Sequence, residues 1–395
     1  MNCFKKYFSS VSKKYKVKNH IVYYLFIATF AVLTPLALTG NLKMLTCFFL
    51  EQAGYSILMA VSLSLVVGFL GELSLGHAGF ISIGAIIGAF AQNKLYPALA
   101  TSSPILALIL TMAIGGIAAA LFGFLIGLPA LRLKGDYLAI VTLAFCLIVQ
   151  TIFEQIPAFG GAIGIENNFR YNYKTFFLII LAVDFFSIVA INNFIRSKHG
   201  RAVTAIRDNE IAARAMGVNV SFNKVFVFVF SSFFAGIAGV LVASTNYTVA
   251  ANQFTYNYSI DILVMVVLGG MGSTNGSILA AILVTYLNNK LNGLFSGNLA
   301  AIKNIVYALI LILIVIYTNA PALKTFRDKY NIRSFYSFVK KKVYKLFTKK
   351  EKAFDPATEV EFEADWTKIP TKIDMDALLT TDSVKEKTKR KEDNA

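Results

Sequence analysis

The sequence predicts an all-α fold, a polytopic bundle of about ten transmembrane spans including broken helices, and three observations carry that expectation. Long stretches hold no charged side chain, apolar windows of helix length recur down the chain, and basic residues gather in alternate short segments between the windows. Hydrophobic residues make up 56% of the 395 and charged ones 15%, with a mean hydropathy of +0.62. Lipid rather than water is therefore the solvent for most of the chain. Between His20 and Leu323 only nine acidic residues occur: Glu51, Glu72, Asp136, Glu154, Glu166, Asp184, Asp208, Glu210 and Asp261.

The windows lie near 21–38, 46–70, 76–92, 104–128, 137–153, 175–195, 224–244, 259–270, 277–292 and 302–318. A hydrocarbon layer roughly 30 Å thick takes about 20 apolar residues to cross, so most of these are long enough. The first follows a basic stretch (Lys5, Lys6, Lys13, Lys14, Lys16, Lys18) in the manner of a signal peptide. It exceeds the usual h-region of roughly 7 to 15 residues and reads as an uncleaved span. Four segments result: a basic cytoplasmic one over 1–20, the transmembrane domain over 21–319, a basic amphipathic membrane-surface segment over 320–350 and a disordered cytoplasmic tail over 351–395. In the third, Phe335, Phe338, Val339, Tyr344 and Phe347 recur at helical spacing among lysines, a pattern that lies on lipid headgroups. The tail carries 12 acidic and eight basic residues with few large apolar ones.

Orientation follows from the short-loop charges, since Lys and Arg stay on the cytoplasmic side. With an internal N-terminus, that side collects 14 basic residues and the other six, which places both termini in the cytoplasm. The formal net charge of +16 does not mark a nucleic-acid binder, because the basic residues are spread over chain ends and inter-window segments. Three cysteines and three well-separated histidines offer neither a disulfide framework nor metal-ligand spacing, so no metal and no cofactor is expected. Gly-Lys never occurs, so the phosphate-cradling loop of a nucleotide hydrolase is absent and the chain is not itself an enzyme.

Two glycine-rich interruptions stand out, at 68–79 and at 269–276. Non-helical backbone at membrane depth survives only where protein or a wet cavity satisfies its polar groups, and paired interruptions point to a solute path. Glu72, Ser74, Gly76 and His77 in the first, with Gly269, Gly270, Gly272 and Ser273 in the second, are the path candidates. Close helix packing through small residues is the competing explanation. Glu72 and His77 are either a pair in the path or, respectively, a helix-end charge and a partner for freed carbonyls. Asp184 sits in mid-window and should face protein, not lipid; as the one clear mid-membrane carboxylate it gives an ion-coupled mechanism little to work with.

Between the sixth and seventh windows, Asp208 and Asn209 can cap a short helix through Ile211, Ala212, Ala215 and Met216, with Gly217 ending it in the left-handed conformation. This predicts a small amphipathic helix, apolar on one side and carrying Arg207, Glu210 and Arg214 on the other.

Glu210-Ile211-Ala212-Ala213 followed by Gly217 resembles the Glu-Ala-Ala loop of ABC importer permeases. Four further motifs occur in the same family order: Leu73-Ser74-Leu75-Gly76-His77-Ala78, Leu131-Arg132-Leu133-Lys134-Gly135-Asp136-Tyr137-Leu138-Ala139-Ile140-Val141-Thr142-Leu143, Phe234-Ala235-Gly236-Ile237-Ala238-Gly239 and Leu268-Gly269-Gly270-Met271-Gly272-Ser273. Together they resemble the LivM-like permeases of branched-chain amino acid ABC transporters over roughly 54–316. The resemblance implies an ABC importer permease fold in the bacterial inner membrane. Its implied partners are two ABC ATPase subunits, a second homologous permease subunit and an external solute-binding protein. It also implies a coupling helix at Arg207, Asp208, Glu210, Ala213 and Gly217 that seats in the ATPase. Related permeases carry urea, nucleosides or sugars. Gly160-Gly161-Ala162-Ile163-Gly164-Ile165 departs from the family's Gly-Gly-Pro-Asn-Gly-Ile type sequence, in a loop placed outside, where a binding protein could dock.

Overall fold

The computed structural model describes residues 44–95, 97, 102–133, 135–167, 173–294, 305–309 and 312. The 1–20 segment, the first window, most of the last window, the amphipathic segment and the tail lie outside the described residues.

Apolar windows become helices with ends close to those read from composition. They are α1 (Met44–Ser64, prolonged by a π-helical turn Leu65–Leu70), α2 (His77–Phe90, prolonged by a π turn Ala91–Leu95), α3 (Pro104–Ala130), α4 (Asp136–Gln155) and α5 (Tyr173–Arg196). Two short helices, α6 (Lys198–Asp208) and α7 (Glu210–Ala215), precede α8 (Val220–Thr245), α9 (Tyr256–Gly269) and α10 (Thr274–Leu294). Ser197 Oγ accepts from Gly200 N at 3.2 Å to start α6, and Asn219 Oδ1 accepts from Phe222 N at 3.1 Å to start α8.

Five of the described helices are long and apolar enough to cross a membrane: those over Met44–Leu70, Pro104–Ala130, Asp136–Gln155, Phe176–Arg196 and Val220–Thr245. The chain is thus a polytopic membrane-helix bundle, with five such spans where the sequence suggested ten. The shortfall has a physical reason beyond the undescribed windows. Helix α9 has 14 residues, roughly 21 Å at 1.5 Å per residue, short of a 30 Å layer, and α2 reaches the same length before a π turn that carries Gln92, Asn93 and Lys94. Helix α10 has 21 residues but carries Thr285, Asn288, Asn289 and Lys290 along its second half. A two-stranded antiparallel ribbon pairs Ile165 with Val249 and Glu166 with Thr248, at the end of the bundle opposite α7.

The core is built on α8, which packs against α3, α2 and α1, while α1 also packs on α5 and α10. Small residues permit this. A methyl group placed on Gly84 of α2 would collide with the backbone of Gly236 on α8, and one on Gly236 with Ala119 and with the Gly115 carbonyl on α3. In lipid, where apolar burial gives helices little reason to associate, such backbone approach supplies the van der Waals contact. The outer faces of α3 and α4 stay apolar and exposed, as at Ile105, Leu121, Phe124, Ile140 and Ile148, which is what a lipid-facing surface requires.

Candidate functional site

The 71–76 segment is wrapped by neighbours on three sides. Leu75 N donates to Thr142 Oγ1 of α4 at 3.0 Å, and Ala78 N donates to Ser259 Oγ of α9 at 2.8 Å. His77 Nε2 lies 2.8 Å from Ser62 Oγ of α1. That hydroxyl already gives its proton to the Met59 carbonyl at 2.8 Å, so the imidazole is the donor and carries hydrogen on Nε2. Ser74 is buried, and its Oγ has no hydrogen-bond partner among the described residues. Gly76 sits where a Cβ would strike the Thr142 carbonyl oxygen. Freed backbone groups in this interruption are therefore met by side-chain hydroxyls from α4 and α9.

Glu72 makes other contacts. The α1 helix ends at Gly71 (φ +79°), and Glu72 Oε1 accepts from Lys224 Nζ of α8 at 2.7 Å. Lys224 Nζ also lies 3.3 Å from Glu210 Oε2, and the other Glu210 oxygen accepts from Arg214 at 3.0 Å. Lys224 is only 5% exposed at its side chain. Glu72 and His77 thus serve different partners, the first tied to α7 and α8, the second to the middle of α1.

The α7 helix has the predicted cap and the predicted stop. Asn209 Oδ1, not Asp208, accepts from Ala212 N at 3.0 Å; Asp208 ends α6 and pairs with Arg207 at 3.0 Å. Val218 N donates to the Ala213 carbonyl at 3.1 Å and Gly217 N to that of Arg214 at 3.0 Å, with Gly217 at φ +80°, the bonding of a Schellman stop. Ala213 is buried at 5% exposure while Ile211 and Met216 are 81% and 84% exposed. The apolar side chains face out and Glu210 turns inward, because Lys224 holds it there.

Arg207 joins the two interruptions. Its Nη1 donates to the Gly68 carbonyl at 3.1 Å, and its aliphatic stem covers Gly71 closely enough that a Cβ there would lie 2.7 Å from Arg207 Cγ. Gly68 in turn packs on the backbone of Gly272, which takes φ +82° beside the same guanidinium. Gly269 packs against Gly276 across the turn, whereas Gly270 (φ +89°) has open space around it and Ser273 is exposed. The two interruptions meet beside Arg207, at the end of the bundle that carries α7.

Asp184 is fully buried, as expected, with Gly54 of α1 packed on its carboxylate and no hydrogen-bond partner among the described residues. At the opposite end, Gly160, Gly161 and Gly164 all have positive φ, and Gly164 leaves no room for a side chain against the Val249 carbonyl. The divergent loop is thereby fixed to the ribbon. Sequence reasoning missed Lys224 as the hub; its single visible signal was a lysine at the start of an otherwise apolar window.

A capped surface helix with an apolar outer face, ion-paired to the end of a broken spanning helix, is the constellation that the motifs had indicated. The sequence profile of the family described as branched-chain amino acid transport system / permease component matches residues 45–315. The chain belongs to this family. It is 36% identical over 260 residues to the high-affinity branched-chain amino acid transport system permease protein LivM of Escherichia coli strain K12, covering 58% of this permease and 59% of that relative. The probable branched-chain amino acid transport permease protein LivM of Methanocaldococcus jannaschii is 28% identical over 258 residues, 56% of this permease and 74% of the relative. The galactose/methyl galactoside import permease protein MglC of E. coli K12 is 27% identical over 268 residues, 60% and 76% of the two chains. The permease thus spans about three fifths of the length of its E. coli LivM relative. No solved structure matches it. Its family is one of membrane permease components, in keeping with the five membrane-length apolar helices of the described residues.

Proposed function

We propose that this permease forms the membrane path of an ATP-driven importer for branched-chain amino acids, working with two ABC ATPase subunits, a second homologous permease and an external solute-binding protein. The observation that carries it is the ion-paired connection from α7 through Lys224 to Glu72, on a chain of this family. The exposed Ile211 and Met216 give α7 an apolar knob of the kind that seats in a partner's cleft, and Glu210, Ala213 and Gly217 set its position. Arg207 and Asp208 hold the preceding helix against Gly68.

In this reading the chain lies in the bacterial inner membrane with both termini cytoplasmic and α7 on the cytoplasmic side. The windows over 21–319 that lie outside the described residues complete the membrane domain, followed by a surface segment over 320–350 and a tail over 351–395. Movement of α7 reaches the 71–76 and 269–273 segments through Arg207 and Lys224. Ser74, Gly76 and His77, with Gly269, Gly270, Gly272 and Ser273, then flank or line the path; the unpartnered Ser74 hydroxyl supports this most directly. The likeness to a galactoside permease favours a sugar as the second reading. The permease reconstituted with its partners in proteoliposomes should take up leucine, isoleucine or valine only with internal ATP; sugar uptake in place of amino acid uptake would select the second reading.

A further inference from the structure

Between α1, α9 and α10 lies an internal cup of about 100 Å³, closed on its fourth side by Tyr307. Its walls are mixed in a specific way. Asp261 is the one charged group among them, and Tyr55, Tyr258, Asn288 and Thr285 surround it. Met59, Ile262, Met265 and Val284 supply apolar surface alongside. Asp261 shares a side-chain hydrogen bond with the Tyr307 hydroxyl, which fixes the carboxylate toward that wall. Thr285 Oγ1 is buried and has no hydrogen-bond partner among the described residues. A buried hydroxyl left without a partner costs about 1–3 kcal/mol, so such a group facing a polar cavity calls for something that fills it.

The cup shares Gln52 with a wider hollow of about 480 Å³ toward the far ends of α1 and α10, within the roughly 300–1,000 Å³ of small-molecule sites. There the charge is reversed. Lys290 is the one charged group lining the hollow, held 5.6 Å from the centre of the Tyr286 ring, with Asn289 and Asn292 beside it. A cation at the mouth and a carboxylate inside present opposite charges in sequence to whatever enters.

We propose that the cup at Asp261 and Thr285 is a solute site that takes the ammonium end of a zwitterionic α-amino acid, with the hollow at Lys290 receiving its carboxylate first. The inference rests on the importer reading above and adds to it the residues that meet the solute. An ammonium entering the cup meets the carboxylate of Asp261 and the Thr285 hydroxyl, which is buried and has no hydrogen-bond partner among the described residues. One carboxylate and no other charge in the wall match the cup to a cationic group better than to a neutral sugar. Its Met, Ile and Val walls accept the aliphatic side chain.

The test uses the full chain co-expressed with its partner subunits in membrane vesicles, its native cysteines replaced by alanine and Thr285 by cysteine. A small maleimide should label this position, and leucine should slow labelling at least fivefold. Leucine methyl ester, which keeps the ammonium, should slow it partly; 4-methyl-2-oxopentanoate, which lacks it, and galactose should not. Asp261→Asn in the same background should abolish the protection, and Asp261→Glu should restore part of it at equal abundance. In the otherwise native chain, Asp261→Asn should lower leucine uptake at least tenfold. Protection by galactose alone would overturn the amino-acid assignment. Labelling indifferent to every solute, with leucine uptake unchanged in Asp261→Asn, would overturn the cup while leaving the importer reading intact. Failure of the unmodified complex to take up any branched-chain amino acid would overturn the importer reading, and the labelling result would still decide for or against the cup.

Discussion

Lys224 Nζ stands 2.7 Å from Glu72 Oε1, joining two residues 152 positions apart in the chain. One begins the interruption after α1 and the other opens α8; Glu210 of α7 shares the same ammonium at 3.3 Å. Three separate elements therefore have their mutual positions set by one lysine. A pair in which one partner is almost fully buried loses most when that partner alone is removed, because the remaining charges stay behind without compensation.

Lys224→Met should accordingly destabilise the permease by about 3–5 kcal/mol, the usual cost of breaking a buried pair from one side. Adding Glu72→Gln should recover part of the loss. Thermal unfolding of the detergent-purified complex measures both. Equal melting temperatures for the native and Lys224→Met proteins would remove Lys224 from its role as hub.

Gly217 offers a way to test the proposed coupling role of α7 apart from folding. It sits at φ +80° with nothing within 4 Å of where a Cβ would project, so a side chain there meets strain and no clash. The left-handed conformation costs a non-glycine residue roughly 1–2 kcal/mol, equivalent to a factor of about 5–30 in a local equilibrium. Gly217→Val should leave abundance normal and cut ATP-driven uptake by about that factor, while Gly217→Asn, which tolerates this backbone, should retain most of it. Full uptake by Gly217→Val would detach α7 from coupling.

How much of this was legible beforehand depended on the range of the interaction. Helix positions followed from hydrophobic windows, since a lipid-facing helix must be apolar along its whole length; every window within the described residues became a helix. The Asn209 cap and the Gly217 stop are local devices and could be read from neighbouring residues. The direction in which α7 points could not. It depends on Lys224, fourteen residues further on, pulling Glu210 inward and leaving Ile211 and Met216 outside. Likewise Glu72 and His77, five residues apart in one motif, go to different partners, because the segment between them climbs back along α1 toward Ser62. The pairing of Asn209 with Ala212 spans three residues, that of Glu72 with Lys224 the length of the core.

The glycines of the two interruptions should fail in different ways. Gly76 has the Thr142 carbonyl where a Cβ would go, so Gly76→Leu should reduce accumulation in the membrane severely, as overpacking a tight contact does. Gly270 has open space but φ +89°, so Gly270→Leu should accumulate and lose uptake. Quantitative blotting beside uptake measures the contrast. Equal accumulation of both, with equal loss of uptake, would return Gly76 to a direct role in the path.

The last prediction concerns sidedness. Ile163 lies in the loop between α4 and α5, and Ile211 lies between α5 and α8; both are more than 80% exposed. A single spanning helix, α5, separates them, so whichever side one occupies the other must occupy the opposite one. The basic residues Arg196, Lys198, Arg201, Arg207 and Arg214 crowd around Ile211, and Lys and Arg in short loops remain on the cytoplasmic side. With the native cysteines replaced, Ile163→Cys should react with an impermeant maleimide added to intact spheroplasts, and Ile211→Cys should react only after the membrane is opened. Both side chains are exposed within this chain, so both variants should reach normal abundance. Labelling of Ile211→Cys from outside would invert the molecule and deprive α7 of access to an intracellular ATPase. Labelling of both from outside would show that α5 does not cross the membrane, and the count of spans would have to be rebuilt from that helix onward.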